Sequence, residues 1–212
     1  MNREAFQVFG LRLSAKQASR EARAMTRPAW VGEARPACFK GGMIETERLI
    51  LRRPELGDLD AVHAMRSDPQ VVRFIGGKPI TREEAWHRLT RSAGNWALLG
   101  YGMFAVIERA SGGFMGEVGL MQACRDLGPD FDPYPEAGWA LAKAAQGKGY
   151  ATEAGQAALD WFDRSFGRKR SVCIIDPGNT ASLGVAAKLG YSPFGSTVYH
   201  EKTLTMLERL PG

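Results

Sequence analysis

From Met43 onward, apolar and polar positions along the chain alternate between two periods. Period-two stretches and short apolar runs bounded by turn residues predict seven strands, at 44–53, 101–108, 114–121, 136–142, 171–176, 191–199 and 203–207. Apolar residues at helical spacing predict four helices, which begin near Asp58, Thr81, Tyr150 and Asn179. Strands that alternate with helices indicate an α/β or α+β domain, in which helices flank a sheet.

Local signals support several of these boundaries. Thr81 and Glu84 have the spacing of a capping box, which predicts a helix from Thr81 to about Leu99. Gly112 and Gly113 follow Ser111 between two strands and predict a hairpin turn. Residues 125–135 contain Gly128 and three prolines, Pro129, Pro133 and Pro135, and they are predicted to form a loop.

The net charge of +5 lies entirely in the first 42 residues of the chain. Residues 1–42 hold eight Lys or Arg and three Asp or Glu, whereas residues 43–212 hold twenty of each. We therefore expect residues 1–42 to be a basic N-terminal extension, dispensable for the fold, and 43–212 to be the functional domain. The high pI of about 9.3 reflects the extension, so a nucleic-acid partner is not expected. A nucleic-acid binder that uses this arm remains a distant alternative.

Amino-acid composition narrows the class of protein further. The 212 residues are 44% hydrophobic and 24% charged, which suits one globular domain. No apolar run approaches the roughly 20 residues of a spanning helix, so no membrane association is expected. Three widely spaced cysteines without a C-x-x-C pair predict free thiols and a cytoplasmic location. The scattered histidines carry no metal-binding spacing, so no metal is expected.

The most informative stretch is a glycine loop that follows a strand and opens a helix. Gly147 and Gly149 flank Lys148, and glycines there let backbone N–H groups face a phosphate at a positive helix end. Walker spacing is absent, and a dinucleotide fingerprint would need glycine where Thr152 stands. The alternative is a loop whose glycines serve only the turn.

A third phosphate-binding pattern fits. The run Gln146–Ala151 resembles the Q/R-x-x-G-x-G/A pyrophosphate loop of the GNAT N-acetyltransferases. Further blocks occur in family order and resemble the branch that includes the ribosomal-protein alanine N-acetyltransferases: 44–52, 116–120, 136–139, 179–182 and 188–191. The resemblance covers about residues 44–207.

This resemblance implies a fold and a co-substrate. The fold is a mixed, mostly antiparallel twisted sheet with flanking helices, in which the fourth and fifth strands splay apart. Acetyl-CoA is the expected co-substrate, with its pantetheine arm paired to exposed amides of Leu141, Ala142 and Lys143. Asn179 is expected to bond the pantetheine, although it also suits a simple helix N-cap. The pyrophosphate would lie on Gln146, Gly147, Lys148, Gly149, Tyr150, Ala151 and Thr152.

The implied reaction is acetyl transfer to a primary amine, which must lose a proton before it attacks. The first candidate base is Glu136, at the head of the fourth predicted strand, and the second is Glu117 on the neighbouring strand. Either residue is otherwise a solvated charge or one half of an ion pair. No cysteine is placed as a covalent nucleophile, so direct attack is expected.

The residue that would assist the leaving thiolate departs from the family pattern. Many family members have a tyrosine seven residues after the asparagine, and that position is Ala186 here. Ser182 resembles the serine of the ribosomal-protein branch and is the candidate hydrogen-bond donor to sulfur. Tyr191 is an alternative, although its position after Gly190 favours packing.

The sequence leaves the acceptor open among ribosomal-protein N-termini, small amines, amino acids and antibiotics. A homodimer is also left open. The competing function is a non-catalytic module of the same fold that binds or senses CoA, because the glycine loop and Asn179 fit either role.

Overall fold

The computed structural model describes residues 43–212, so the basic segment 1–42 lies outside the described residues. Within that range the strands are β1 Met43–Glu45, β2 Leu49–Arg52, β3 Met103–Glu108, β4 Phe114–Met121, β5 Glu136–Leu141, β6 Ser171–Ile175, β7 Ser192–Tyr199 and β8 Lys202–Arg209. The helices are α1 Leu59–Ser67, α2 Pro69–Val72, α3 Arg82–Leu99, α4 Tyr150–Phe166 and α5 Thr180–Lys188. Two short 3₁₀ turns span Leu56–Asp58 and Lys143–Ala145.

The first predicted strand, 44–53, is wrong as a single element. The chain reverses between β1 and β2, which pair antiparallel with Met43 opposite Arg52. The reversal is fixed by Thr46, whose amide donates to the Leu49 carbonyl at 2.9 Å and whose hydroxyl accepts from the Leu49 amide at 3.0 Å. A threonine that bonds its local backbone in this way favours a turn over a continuous strand.

The eight strands form one sheet in the order β1-β2-β3-β4-β5-β6-β8-β7. All neighbouring pairs are antiparallel except β5 and β6, which run parallel. These two strands share one register pair in the described sheet, Glu136 opposite Val172, and then diverge. The mixed, mostly antiparallel sheet with flanking helices is therefore confirmed, and the sheet opens between the fourth and fifth predicted strands.

An aromatic core holds α3 and α4 against the strands. Trp161 of α4 lies edge-on to Phe104 of β3, with centroids 5.2 Å apart, and Trp96 of α3 packs on both rings. Such edge-to-face pairs add stability beyond the apolar area that they bury. The core fixes the direction of α4, whose N-terminus carries the glycine loop.

The predicted helix boundaries agree closely with the structure. Thr81 caps α3 in a reciprocal capping box with Glu84, and Gly100 ends the helix with a left-handed φ of 78°. Among residues 43–212, no helix is both long and apolar enough to cross a membrane.

Candidate active site

A cavity of about 450 Å³ lies where β5 and β6 diverge. Its walls come from nine elements, α1, α3, α5, β3, β4, β5, β6, β7 and β8, so residues distant in sequence meet there. Among the lining residues are the two predicted bases, Glu117 and Glu136, together with Asn179 and Ser182. The fold therefore brings to one cleft the expected base for the amine and the expected hydrogen-bond donor to the leaving thiolate.

The edge of β5 that faces the opening has unpaired backbone groups. The Ala142 amide donates to the Met115 carbonyl on the β4 side at 2.9 Å. Because bonding direction alternates along an antiparallel pair, the amides of Leu141 and Trp139 point away from β4, toward the gap. The expectation that Ala142 offers an exposed amide is wrong, and Leu141 keeps that role as a prediction.

The glycine loop presents a row of free donors. Within the described chain, the amides from Gly147 to Thr152 make no hydrogen bond. Gly147 and Gly149 have φ of 76° and 79°, a left-handed conformation that glycine adopts without cost. The loop runs directly into the N-terminus of α4, where unsatisfied N–H groups and the helix dipole favour an anion.

Gln146 and Tyr150 act differently from the rest of the loop. The Gln146 amide donates to the Lys143 carbonyl, and its side chain donates to the Leu141 carbonyl at 3.1 Å. Gln146 therefore braces the end of β5, and its amide is not available for a phosphate. The Tyr150 hydroxyl donates to Glu108 at 2.6 Å, which ties the first turn of α4 to β3.

Arg48 holds the glycine loop from outside, a role that the sequence did not reveal. Its Nη1 donates to the Lys148 carbonyl at 2.9 Å, and its Nε donates to Glu153 at 2.7 Å. Glu153 also accepts from the Thr46 hydroxyl at 2.6 Å. Burial opposes the ionised form of Glu153, but these hydrogen bonds outweigh it and lower its pKa. The β1–β2 turn and the first turn of α4 thus form one rigid unit.

Replacing Arg48 by alanine is expected to weaken CoA binding about tenfold, because the glycine loop loses the hydrogen bonds from Arg48 to Lys148 and Glu153 and water replaces them only in part. Calorimetric titration with CoA measures the change. Arg48→Lys is the matched variant: it keeps the charge but cannot bond Lys148 and Glu153 together. Full affinity in Arg48→Lys would mean that charge alone matters and that the loop needs no bracing.

The two candidate bases are both ion-paired, but in different ways. Both oxygens of Glu136 accept a hydrogen bond from Arg125, each at 2.7 Å. Glu117 accepts both bonds of Arg66, at 3.0 and 2.7 Å, on the same atom, Oε2. Among residues 43–212, Glu117 Oε1 has no hydrogen-bond partner, and it is not sealed from solvent. Glu117, which lines the cavity, therefore has one carboxylate oxygen without a hydrogen bond among residues 43–212.

Register separates the two carboxylates. Glu117 lies opposite Ala140, and Glu136 lies four residues earlier on β5. At about 3.4 Å per residue, the two backbone positions are about 14 Å apart along the same face of the sheet. A single amine cannot contact both residues, so at most one of them serves as the direct base.

Ser182 lies at the first turn of α5 and is bonded across the cleft. The indole Nε1 of Trp139 on β5 donates to Ser182 Oγ at 2.6 Å, and the Ser182 amide donates to the Asn179 side chain at 3.2 Å. Asn179 therefore caps α5, the simpler of its two expected roles. The Ser182 hydroxyl accepts from Trp139, and no acceptor for its own proton is found among residues 43–212.

The remaining candidates belong to the core. Tyr191 is buried, and its hydroxyl shares a hydrogen bond of 2.7 Å with Ser171. Burial raises the pKa of Tyr191, so its proton is held tightly. Ala186 is fully buried and Cys173 nearly so, and burial raises the pKa of the Cys173 thiol. The part of the chain that is described contains no cluster of three or more His, Cys, Asp or Glu suited to a metal ion.

The site combines three features: free amides at a helix start, an unpaired strand edge beside them, and a cleft with acidic and hydroxyl groups. Together they are typical of a CoA-dependent acyltransferase. A family profile described as an acetyltransferase (GNAT) domain matches residues 48–192. The chain belongs to the GNAT acetyltransferase family, and it is an acetyl-CoA-dependent acyltransferase.

Individual relatives agree with this assignment. The chain is 28% identical over 158 residues to an N-acetyltransferase, p20, of Bacillus licheniformis, covering 74% of this chain and 86% of that protein. It is 32% identical over 153 residues to the protein YkkB of Bacillus subtilis, covering 68% and 82%. A solved structure described as a GnaT-family acetyltransferase of Bordetella pertussis superposes with a TM-score of 0.72 at 35% identity, covering 79% and 98%.

Proposed function

We propose that the protein transfers the acetyl group of acetyl-CoA to a primary amine by direct attack on the thioester, without a covalent enzyme intermediate. The observation that carries this proposal is the cavity at the divergence of β5 and β6, which Glu117 and Ser182 both line. It offers a proton acceptor and a hydroxyl donor beside a strand edge able to hold a thioester.

Acetyl-CoA would lie along the opening of the sheet. The amides from Gly147 to Thr152 would bind the pyrophosphate, with Lys148 adding a positive charge. The pantetheine arm would pair with the gap-facing groups of Leu141 and Trp139, as an added strand pairs with a sheet edge. An amide at this edge would also stabilise the oxyanion that forms on the thioester carbonyl.

Glu117 is the better placed base. An ammonium group cannot attack the thioester. The acceptor must therefore bind as the neutral amine or lose its proton in the cleft. Glu117 Oε1 is free to accept the proton, directly or through a water, while Arg66 holds the other oxygen in position. Both oxygens of Glu136 already accept from Arg125, which favours a structural role for that residue.

Ser182 would stabilise the leaving thiolate. A hydroxyl that accepts a hydrogen bond is a stronger donor, because bonds in a chain polarise one another. The Trp139 Nε1 bond of 2.6 Å therefore prepares Ser182 to donate to sulfur. This pair takes the place of the tyrosine that Ala186 replaces.

Ser182→Ala is expected to lower kcat about tenfold with little change in the KM of acetyl-CoA, because one hydrogen bond to a charged group contributes about 1.5 kcal/mol or more. Trp139→Phe keeps the hydroxyl but removes its donor, and a smaller decrease in kcat is expected. Steady-state rates of thiol release measure both variants. A rise in KM without a decrease in kcat would assign Ser182 to cofactor binding alone.

The proposal is tested with purified protein, acetyl-CoA and a panel of primary amines, by following thiol release and acetylated product. Initial rates with both substrates varied should give intersecting lines, and mass spectrometry of the protein with acetyl-CoA alone should show no acetylated enzyme. Among similar folds, one solved structure is described as an L7/L12 alpha-N-protein acetyltransferase and another as a spermidine N-acetyltransferase. The panel therefore includes peptide N-termini and small amines. CoA binding without turnover of any amine would contradict the proposal.

A further inference from the structure

The acceptor side of the cavity is rich in arginine. Four arginines and three carboxylates line the cavity: Arg66, Arg88, Arg91, Arg125, Glu117, Glu136 and Asp176. Two arginines are already paired, Arg66 with Glu117 and Arg125 with Glu136. The third carboxylate, Asp176, accepts from the Gly178 amide, so the lining has a surplus of one positive charge, and its unpaired arginines within residues 43–212 are Arg88 and Arg91 of α3.

These two arginines have no carboxylate partner. In the range 43–212, neither Arg88 nor Arg91 forms an ion pair or a hydrogen bond with a side chain. Glu117 and Glu84 are close enough to favour the charge of Arg88. However, Glu117 is bonded by Arg66, and Glu84 accepts from the Thr81 amide.

Helix geometry aims the pair at one place. Positions three and seven residues apart lie on the same face of a helix, so Arg88, Arg91 and Asn95 present their side chains together. All three line the cavity. Burial lowers the pKa of Arg88 to about 10, and the charges of Arg66 and Arg91 contribute in the same direction. Arg88 is partly buried and Arg91 is exposed at the rim, and an anion bound between these two like charges would stabilise both.

We propose that the acceptor is a primary amine that carries a carboxylate, which Arg88 and Arg91 bind while the amine faces Glu117. This inference rests on the proposed function. Arginine is suited to the task because its planar guanidinium donates two parallel bonds to a carboxylate. The same positive charges disfavour a second cation, so they help keep the attacking amine neutral and oppose polycationic acceptors.

Matched pairs of acceptors test the proposal, since they share an amine and differ only in the carboxylate. The small-molecule pair is β-alanine and β-alanine amide, and spermidine serves as the cationic acceptor. The peptide pair has the same N-terminal residue followed by either two aspartates or two asparagines. The wild type is expected to use the carboxylate member at least about tenfold better in kcat/KM, since hydrogen bonds between charged groups are stronger than those to a neutral amide. Which pair shows the larger ratio identifies a free acid or an acidic peptide as the source.

Variants connect the preference to the arginines. Arg88→Gln is expected to reduce the preference toward one by raising the KM of the carboxylate acceptor, and Arg88→Lys should restore part of it. Arg164→Gln removes the same charge from an exposed position on α4 outside the cavity, and the preference should remain. Equal use of both members, or a preference for spermidine, by the wild type would overturn the inference.

Binding separates this proposal from the proposed function. Calorimetry with N-acetyl-β-alanine and its amide needs no turnover, and the acid should bind more tightly to the wild type but not to Arg88→Gln. Thiol release with neutral amines alone would refute the anionic acceptor while the transferase stands. Absence of release with every amine, together with selective binding of the acid, would refute the transferase proposal and keep the anion site.

Discussion

Replacing Glu117 by glutamine is expected to lower kcat/KM by a factor of about 10² to 10⁴, the usual contribution of a general base. The structural reason is that Glu117 lines the cavity and that, within residues 43–212, its Oε1 atom accepts no hydrogen bond while Arg66 occupies Oε2. Glutamine keeps the size of the side chain and an oxygen for Arg66, but it cannot accept the proton. Affinity for acetyl-CoA should change little, because the cofactor is expected to bind other groups.

Glu136→Gln is the matched control for this prediction. Both glutamates are buried, with 9% and 5% of the side chain exposed, and each pairs with one arginine. Each variant therefore weakens a buried ion pair, and each is expected to lower stability, by up to about 3 kcal/mol. Thermal melting measures that shared cost. Any difference in rate between two variants with similar melting temperatures then reports the free oxygen.

The dependence of kcat/KM on pH completes the comparison. The acidic limb of this profile reports the group that must lose a proton in the free enzyme. Glu117→Gln should remove or displace the limb, whereas Glu136→Gln should keep it. The reverse result would make Glu136 the base, and two unchanged profiles would mean that water or the bulk solvent deprotonates the amine.

Replacing Gly149 by aspartate is expected to weaken CoA binding about 10² to 10³-fold. Gly149 is the residue before α4, with a φ of 79°, and its neighbours on both sides have free amides. A carboxylate placed there would oppose the pyrophosphate, and two like charges 4 Å apart repel by about 4 kcal/mol at an effective dielectric constant of 20. Calorimetric titration with CoA measures the loss.

Gly149→Asn separates charge from backbone strain. Asparagine and aspartate have the same shape and are both tolerated in left-handed conformations, so the strain is similar. The added Cβ would lie 3.5 Å from Arg48 Nη2, which is an ordinary contact. We therefore expect both variants to fold and Gly149→Asn to lose only about tenfold in affinity. Equal affinity of Gly149→Asp and the wild type would exclude the loop as the pyrophosphate site.

Much of the fold was predictable because its signals are local. The capping box of Thr81 and Glu84 fixed the start of α3, and the glycines before Tyr150 fixed the start of α4. These features depend on hydrogen bonds within a few residues, which sequence spacing displays. The division of 44–53 into two strands was missed, because the Thr46 turn interrupts an otherwise continuous strand pattern.

The site was predictable in type but not in detail. The sequence indicated two glutamates, a serine and a glycine loop, and the structure places all of them around the opening of the sheet or beside it. From the sequence alone, Glu136 ranked above Glu117 as the candidate base, because position on the strand was the only criterion that the sequence offered. The structure favours Glu117, because the number of free oxygens on each carboxylate depends on arginines 51 and 11 residues away in sequence.

The sequence by itself determined the family, the order of the elements and the position of the glycine loop before α4. Each of these depends on short runs of residues whose conformations are set locally by glycine, by capping side chains and by the period of apolar positions. The tertiary structure alone decided which groups are free. Arg66 reaches Glu117, Arg125 reaches Glu136, and Arg48 reaches Glu153 across 105 residues, because strand pairing and helix packing bring them within hydrogen-bond distance. These contacts decide whether a charged side chain is available for chemistry or is held in an ion pair. The spacing of residues along the chain does not reveal such contacts.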